Sequence, residues 1–147
     1  MTIDVNELLK KQPILLFDGE CGFCNRAVLF FLHHENKKIH TRPFKKMHFA
    51  SLQSPEGIEL KKYFELDHQI DSIILIKDHS AFIKSCAVLR LTLYMRGLWP
   101  LLSVFVIIPP FLRNIVYHFI AKRRMRLFGK VKQCELLREL DQSRFLH

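Results

Sequence analysis

Glycine and proline are scarce, 5 and 6 among 147 residues, and no short motif recurs at a fixed period. A collagenous, low-complexity or solenoid chain is thereby excluded. Four cysteines are too few for a disulfide-scaffolded mini-protein. Acidic side chains are outnumbered, 14 against 23 Lys and Arg, which leaves a formal charge of +9 with histidine neutral. Met1 to Gln12 is broken by Asp4, Glu7, Lys10 and Lys11, so it lacks the apolar run of a secretory signal. The expected compartment is the cytoplasm, where thiols are kept reduced and closely spaced cysteines point to redox chemistry or metal binding. The longest uncharged stretch, Leu98 to Leu112 (LWPLLSVFVIIPPFL), holds three prolines and 15 residues. That is short of the roughly 20 a membrane-crossing helix needs, so a buried or interfacial segment is expected.

A hydrophobic fraction of 49% with 13 Phe is ample for a core, charged residues at 25% are ordinary, and the length suits one domain. Ile14 to Phe17 is a continuous apolar run between Pro13 and the Asp18-Gly19 turn pair, as for a strand buried on both faces. A helix follows from about Cys21 to His34, expected to be covered on most of its circumference because Ala27 to Leu32 is apolar throughout. Ile39 to Phe44 reads as a second strand, with Pro43 confining its end to an edge or bulge. Ser54-Pro55-Glu56 opens a short helix to Phe64. Ser72 to Ser85 is a hairpin turning near Asp78-His79. Cys86 to Arg96 is a helix with Val88, Leu91 and Tyr94 or Met95 on one face and Gly97 as its stop. The order β-α-β-α-β-β-α is the minimal thioredoxin-like α/β arrangement, with a core at about 13–97. Residues 98–147 form a helical extension, with a helix at Phe111 to Phe128, expected to pack on that core.

The chemistry concentrates in Asp18-Gly19-Glu20-Cys21-Gly22-Phe23-Cys24-Asn25, where the first strand hands over to the first helix. Cysteines at i and i+3 around a helix start lie within one turn, close enough for the Cα separation of roughly 4.4–6.8 Å that a disulfide requires. The unpaired N–H groups and partial positive charge of the helix start favour a thiolate at Cys21. The candidate catalytic residues are therefore three. Cys21, at the more exposed start of the turn, attacks a substrate disulfide. Cys24, one turn deeper, resolves the mixed disulfide. Asp18 accepts the proton of Cys24 or, equally well on these residues, serves only as a turn and cap residue. Gly22 permits close approach of a substrate backbone, Phe23 shields the pair, and Glu20 and Asn25 are surface and helix-turn residues. No cofactor or metal is expected: structural zinc needs four ligands, and only one short-spaced cysteine pair exists, with Cys86 and Cys134 isolated and no HxxxH pair among eight histidines. Cys86 and Cys134 read as buried structural residues.

These residues resemble a family. ILLFDGECGFCNRAVLFFL is similar to the opening of the DCC-type thiol-disulfide oxidoreductases, whose D-x-x-C-x-x-C pattern falls on Asp18, Cys21 and Cys24. IDSIILIKD with KSCAVLRL resembles the family's second hairpin and helix. YHFIAKRRMRLFGK resembles its carboxyl-terminal segment, at Tyr117, Ala121, Arg124, Arg126, Phe128 and Gly129, and Cys134 matches a cysteine that often follows. The resemblance spans about Ile14 to Cys134. It implies a thioredoxin-like fold and thiol-disulfide exchange on Cys21 and Cys24. The chain departs from it at Cys86 and Met125, and at Asp71-Ser72 it lacks the proline that thioredoxins place before this hairpin.

The implied partner is a disulfide-containing protein or small thiol. Lys122, Arg123, Arg124, Arg126, Lys130 and Lys132 fall within eleven residues and read first as a solvated helix face. The second reading joins them to the apolar segment as a peripheral contact with an anionic membrane. The alternative to an enzyme is a non-enzymatic basic binding module at such a membrane surface or with a partner protein. No base-stacking motif or recognition module suggests specific nucleic-acid binding.

Overall fold

The computed structural model describes residues 3–36, 46–67, 69–129, 144 and 146. A short helix α1 (Val5–Lys10) begins where the Asp4 side chain accepts the Asn6 N–H. It is followed by β1 (Ile14–Phe17), α2 (Gly22–His34), β2 (His48–Ser51), α3 (Pro55–Tyr63), β3 (Ile74–Lys77), β4 (Ser80–Ile83), α4 (Lys84–Leu91) and α5 (Pro110–Phe128). Two 3₁₀ segments, Thr92–Tyr94 and Trp99–Ile107, lie between α4 and α5. The strands form one sheet in the order β2-β1-β3-β4. β1 pairs in parallel with β2 and antiparallel with β3, and β3 pairs antiparallel with β4. This is a mixed α/β, thioredoxin-like architecture, as expected.

The sheet exists because β1 is apolar on both faces. Leu15 and Phe17 meet Val28 and Phe31 of α2, Ala87 and Leu91 of α4, and Phe49, Leu75 and Tyr94. Ile14 and Leu16 meet Leu8 and Leu9 of α1, Leu60 of α3, and Ala50, Ile74 and Ile76. All four residues of β1 are buried, as a central strand between two helical layers requires. Asp78 and His79 both have positive φ, 50° and 58°, which is the two-residue turn whose twist matches a hairpin. The Ser54 hydroxyl accepts the Gly57 N–H and caps α3.

Several expectations change. The strand read at 39–44 lies outside the described residues, whereas His48–Ser51 is the strand that pairs with β1. Phe30 is 44% exposed, so α2 is less completely covered than its apolar run suggested. On α4, Leu91 is buried but Val88 is exposed, and Cys86 is only half-buried. No residue of Trp99–Ile107 is fully buried, yet the segment packs on α4, and Trp99 meets the rings of Phe30 and His34 on α2. The extension also rests on the core through α5, which packs on α2 and α4.

The far end of the chain returns to the outer edge of the sheet. Leu146 N–H donates to the Phe49 carbonyl of β2, and Arg144 Nε donates to the Met47 carbonyl. The Arg144 guanidinium also holds Glu35 with two bonds of 2.6 and 2.7 Å, both side chains buried. Removing one partner of such a pair strands a charge, whereas an apolar replacement of both need not destabilise. Glu35→Ala is accordingly expected to lower the unfolding free energy by about 3–5 kcal/mol, and the Glu35→Leu, Arg144→Met double variant to recover most of that loss, as read by urea denaturation.

Candidate functional site

Asp18 to Asn25 forms a rigid turn leading into α2. Cys21 N–H donates to the Asp18 carbonyl (3.3 Å), and Glu20 N–H donates to Asp18 Oδ1 (3.0 Å). Gln53, just after β2, donates to the same oxygen through Nε2 (2.8 Å) and takes the Gly19 N–H on Oε1 (3.2 Å). Asp18 is thus both a turn residue and a buried carboxylate aimed at the start of the helix. Asn25, in the first turn of α2, is buried and donates from Nδ2 to the Gly19 carbonyl at 3.0 Å.

Cys21 occupies the N-cap position of α2 and Cys24 lies in the first turn; both are free thiols. The expected contrast in exposure does not hold. Cys21 is fully buried, at 0% exposure, and Cys24 is at 4%. The cover comes partly from the end of α5. Gly129, at φ 62°, adopts the left-handed conformation that favours glycine and turns its carbonyl onto the Gly22 N–H at 3.3 Å. The amide expected to be open to a substrate is occupied by the chain itself.

Arg124 departs from the solvated face expected of the basic run: it is 6% exposed and sits over the cysteine pair. Its Nη1 donates to Cys24 Sγ (3.4 Å), and its Nη2 donates to the Asp71 carbonyl (3.0 Å) and pairs with Asp71 Oδ2 (3.2 Å) and, more distantly, Asp18 Oδ2 (4.0 Å). Asp71 stands in the stretch before β3 that lacks the expected proline, and there Arg124 holds the backbone in place. The Tyr117 hydroxyl, two turns earlier on α5, bonds the backbone of Ile73 beside Arg124 and Cys24; burial pushes its pKa up. A signal for this arrangement was present: Arg113, Asn114, Tyr117, Ala121 and Arg124 recur at helical spacing on one face of α5. Lys122, Arg123 and Arg126 are exposed as expected. Lys130, Lys132 and Cys134 lie outside the described residues.

The electrostatics act on Cys24. Burial raises the Cys24 thiol to about 12, helped by the neighbouring Cys21, by a hydrogen bond to Cys21 and by the Asp18 carboxylate; Arg124 pulls in the opposite direction. Cys24 therefore keeps its proton at neutral pH, with a guanidinium waiting at its sulfur.

Residues 15–130 match the model of the DCC1-like thiol-disulfide oxidoreductase family. The chain belongs to that family. It is 37% identical over 134 residues to "Uncharacterized protein YuxK" of Bacillus subtilis, covering 90% of this chain and 93% of that one. It is 34% identical over 128 residues to "DCC family protein At1g52590, chloroplastic" of Arabidopsis thaliana, covering 86% and 70%. No solved structure matches the chain. The matched span takes in Cys21, Cys24 and Asp18 together with Arg124, so the side chains that meet at the head of α2 all fall within the family's extent.

The raised Cys24 thiol has a consequence for stability. Its folded value exceeds the 9.0 of a free thiol, so the unfolded chain releases this proton first as pH rises. The stability it contributes is complete below pH 9 and is lost between 9 and about 12. Tyr94, also pushed up to about 12 by burial, titrates in the same window. Denaturation midpoints measured on both sides of pH 9 should fall on the alkaline side, and Cys24→Ala should flatten part of that slope. Arg124→Met removes the one cause that lowers the Cys24 value, so alkylation of Cys24 should begin at higher pH than in the unaltered protein.

Proposed function

We propose that the chain is a protein-disulfide reductase in which Cys21 attacks and Cys24 resolves. The observation that carries this reading is the unequal environment of the two sulfurs: one at the N-cap of α2, the other held protonated one turn deeper beside a guanidinium. Membership of a thiol-disulfide oxidoreductase family supports the reaction class.

The Cys21 thiolate attacks one sulfur of a substrate disulfide. A Cys21–substrate S–S bond forms, the substrate S–S bond breaks, and the departing thiolate takes a proton from water. Cys24 then gives its proton to Asp18 Oδ2, the carboxylate oxygen not engaged by Gln53 or Glu20, and its nascent thiolate is stabilised by Arg124. Attack of Cys24 on Cys21 Sγ forms the internal disulfide and breaks the mixed one, and the second substrate thiolate leaves, taking up the proton that Asp18 received. Two electrons pass from the dithiol to the substrate, and an external thiol restores them. Substrate entry displaces the Gly129 carbonyl from the Gly22 N–H; a substrate backbone carbonyl takes its place, with no side chain on Gly22 in its way.

Insulin reduction with dithiothreitol as electron source tests the assignment. The unaltered protein should accelerate precipitation of the insulin B chain, while Cys21→Ser and Cys24→Ser should fall to the uncatalysed rate. Cys24→Ser should also accumulate a substrate adduct on Cys21. Asp18→Asn should slow the resolving step by about a hundredfold. Equal activity in the unaltered protein and both cysteine variants would overturn the proposal.

A further inference from the structure

Helix α5 is amphipathic in the opposite sense to a helix packed on a core in water. Its inward face is polar: Asn114 takes a 2.6 Å hydrogen bond from Ser85, Arg113 donates to Cys86 Sγ at 3.4 Å, and Tyr117 and Arg124 reach the cysteine site. Its outward face is apolar. Phe111, Leu112, Ile115, Val116, Phe119 and Ile120 are each between 48 and 67% exposed. The preceding 3₁₀ segment continues the surface with Leu101, Val104, Phe105 and Ile107, at 51–84%. Between the two runs lies a groove of ≈ 650 Å³ lined by apolar side chains including Val88, Leu89, Ile108 and Val116. A contiguous apolar surface of this kind marks a binding face.

The charge around that surface is of one sign. From His79 to Cys134 the chain has no Asp or Glu in 56 residues, against ten Lys and Arg. Among the described residues, Lys84, Arg113, Lys122, Arg123 and Arg126 form no ion pair with a carboxylate. Arg123 lies over the Phe119 ring, 4.2 Å from its centroid, so a cation borders the apolar stripe directly. A second copy docked face to face would bring these uncompensated cations together, whereas an anionic phospholipid surface offers acyl chains to the stripe and phosphates to its border. No helix among the described residues is long and apolar enough to cross a membrane.

We propose that the outward face of α5 and the Trp99–Ile107 segment form a peripheral docking surface for an anionic lipid bilayer. The apolar stripe enters the headgroup boundary, and Lys122, Arg123 and Arg126 meet the lipid phosphates. The inward face of the same helix stays on the cysteine site, so the dithiol is carried at the membrane surface. The proposal is independent of the reductase assignment, since it rests on α5's outer face and not on either sulfur.

Trp99 is the chain's single tryptophan and is 37% exposed at the start of the apolar segment, which makes it a built-in probe. Vesicles of phosphatidylcholine with phosphatidylglycerol should blue-shift its emission and carry the protein to the pellet; vesicles of phosphatidylcholine alone should do so far less, and added salt should reverse the binding. Lys122→Glu with Arg123→Glu should weaken partitioning by roughly fivefold or more per charge. Phe111→Ser with Phe119→Ser, both exposed and so without consequence for the core, should abolish the blue shift while leaving insulin reduction unchanged. Absence of binding to the anionic vesicles would overturn the proposal. So would a concentration-dependent dimer that fails to bind them and that the two serine substitutions dissociate.

Discussion

One buried cation holds the site together. Arg124 reaches from α5 across a hundred residues of sequence to Cys24 Sγ, and the same guanidinium ties down Asp71 before β3 and faces Asp18 after β1. Burying a guanidinium is unfavourable unless its charge and hydrogen bonds are met, and here two carboxylates, a carbonyl and a sulfur meet them. Without this contact Cys24 would have no positive charge at its sulfur to offset its burial, and the extension would keep only the Gly129 carbonyl and the Tyr117 hydroxyl as polar anchors there.

The dithiol is correspondingly a protected one. Cys21 has no exposed surface, and the Gly22 amide at its side is bonded to Gly129. Burial shields both thiols from bulk solvent. Because Gly129 follows directly on α5, the cover, the cation at Cys24 and the apolar outer surface all belong to one helix and its end. Events on the outer face and events at the sulfurs are thereby mechanically adjacent.

Much of the fold was readable where local chemistry and tertiary position agree. β1 was clear because a strand buried on both faces is an unbroken apolar run, and the β3–β4 hairpin because its turn needs residues that tolerate positive φ. Ser54-Pro55 announced α3 through its cap. β2 was not readable: His48–Ser51 mixes polar and apolar residues, and only its register against β1 makes it a strand. The cysteine pair and Asp18 were visible from spacing, but their burial was not, since the covering groups lie about a hundred residues away. Arg124 was hidden by its neighbours Lys122, Arg123 and Arg126, whose exposure is the usual fate of a basic run. The period of the polar residues on α5 distinguishes it, but only once their inward direction is known.

The most direct test of the central claim is the bond the two sulfurs form. Treated with oxidised glutathione in the folded state and then digested, the protein should yield a peptide carrying a Cys21–Cys24 disulfide, with the intact mass lowered by two hydrogens and the change reversed by dithiothreitol. Recovery of both thiols unchanged, or glutathione held as a stable adduct with no internal bond, would contradict the account.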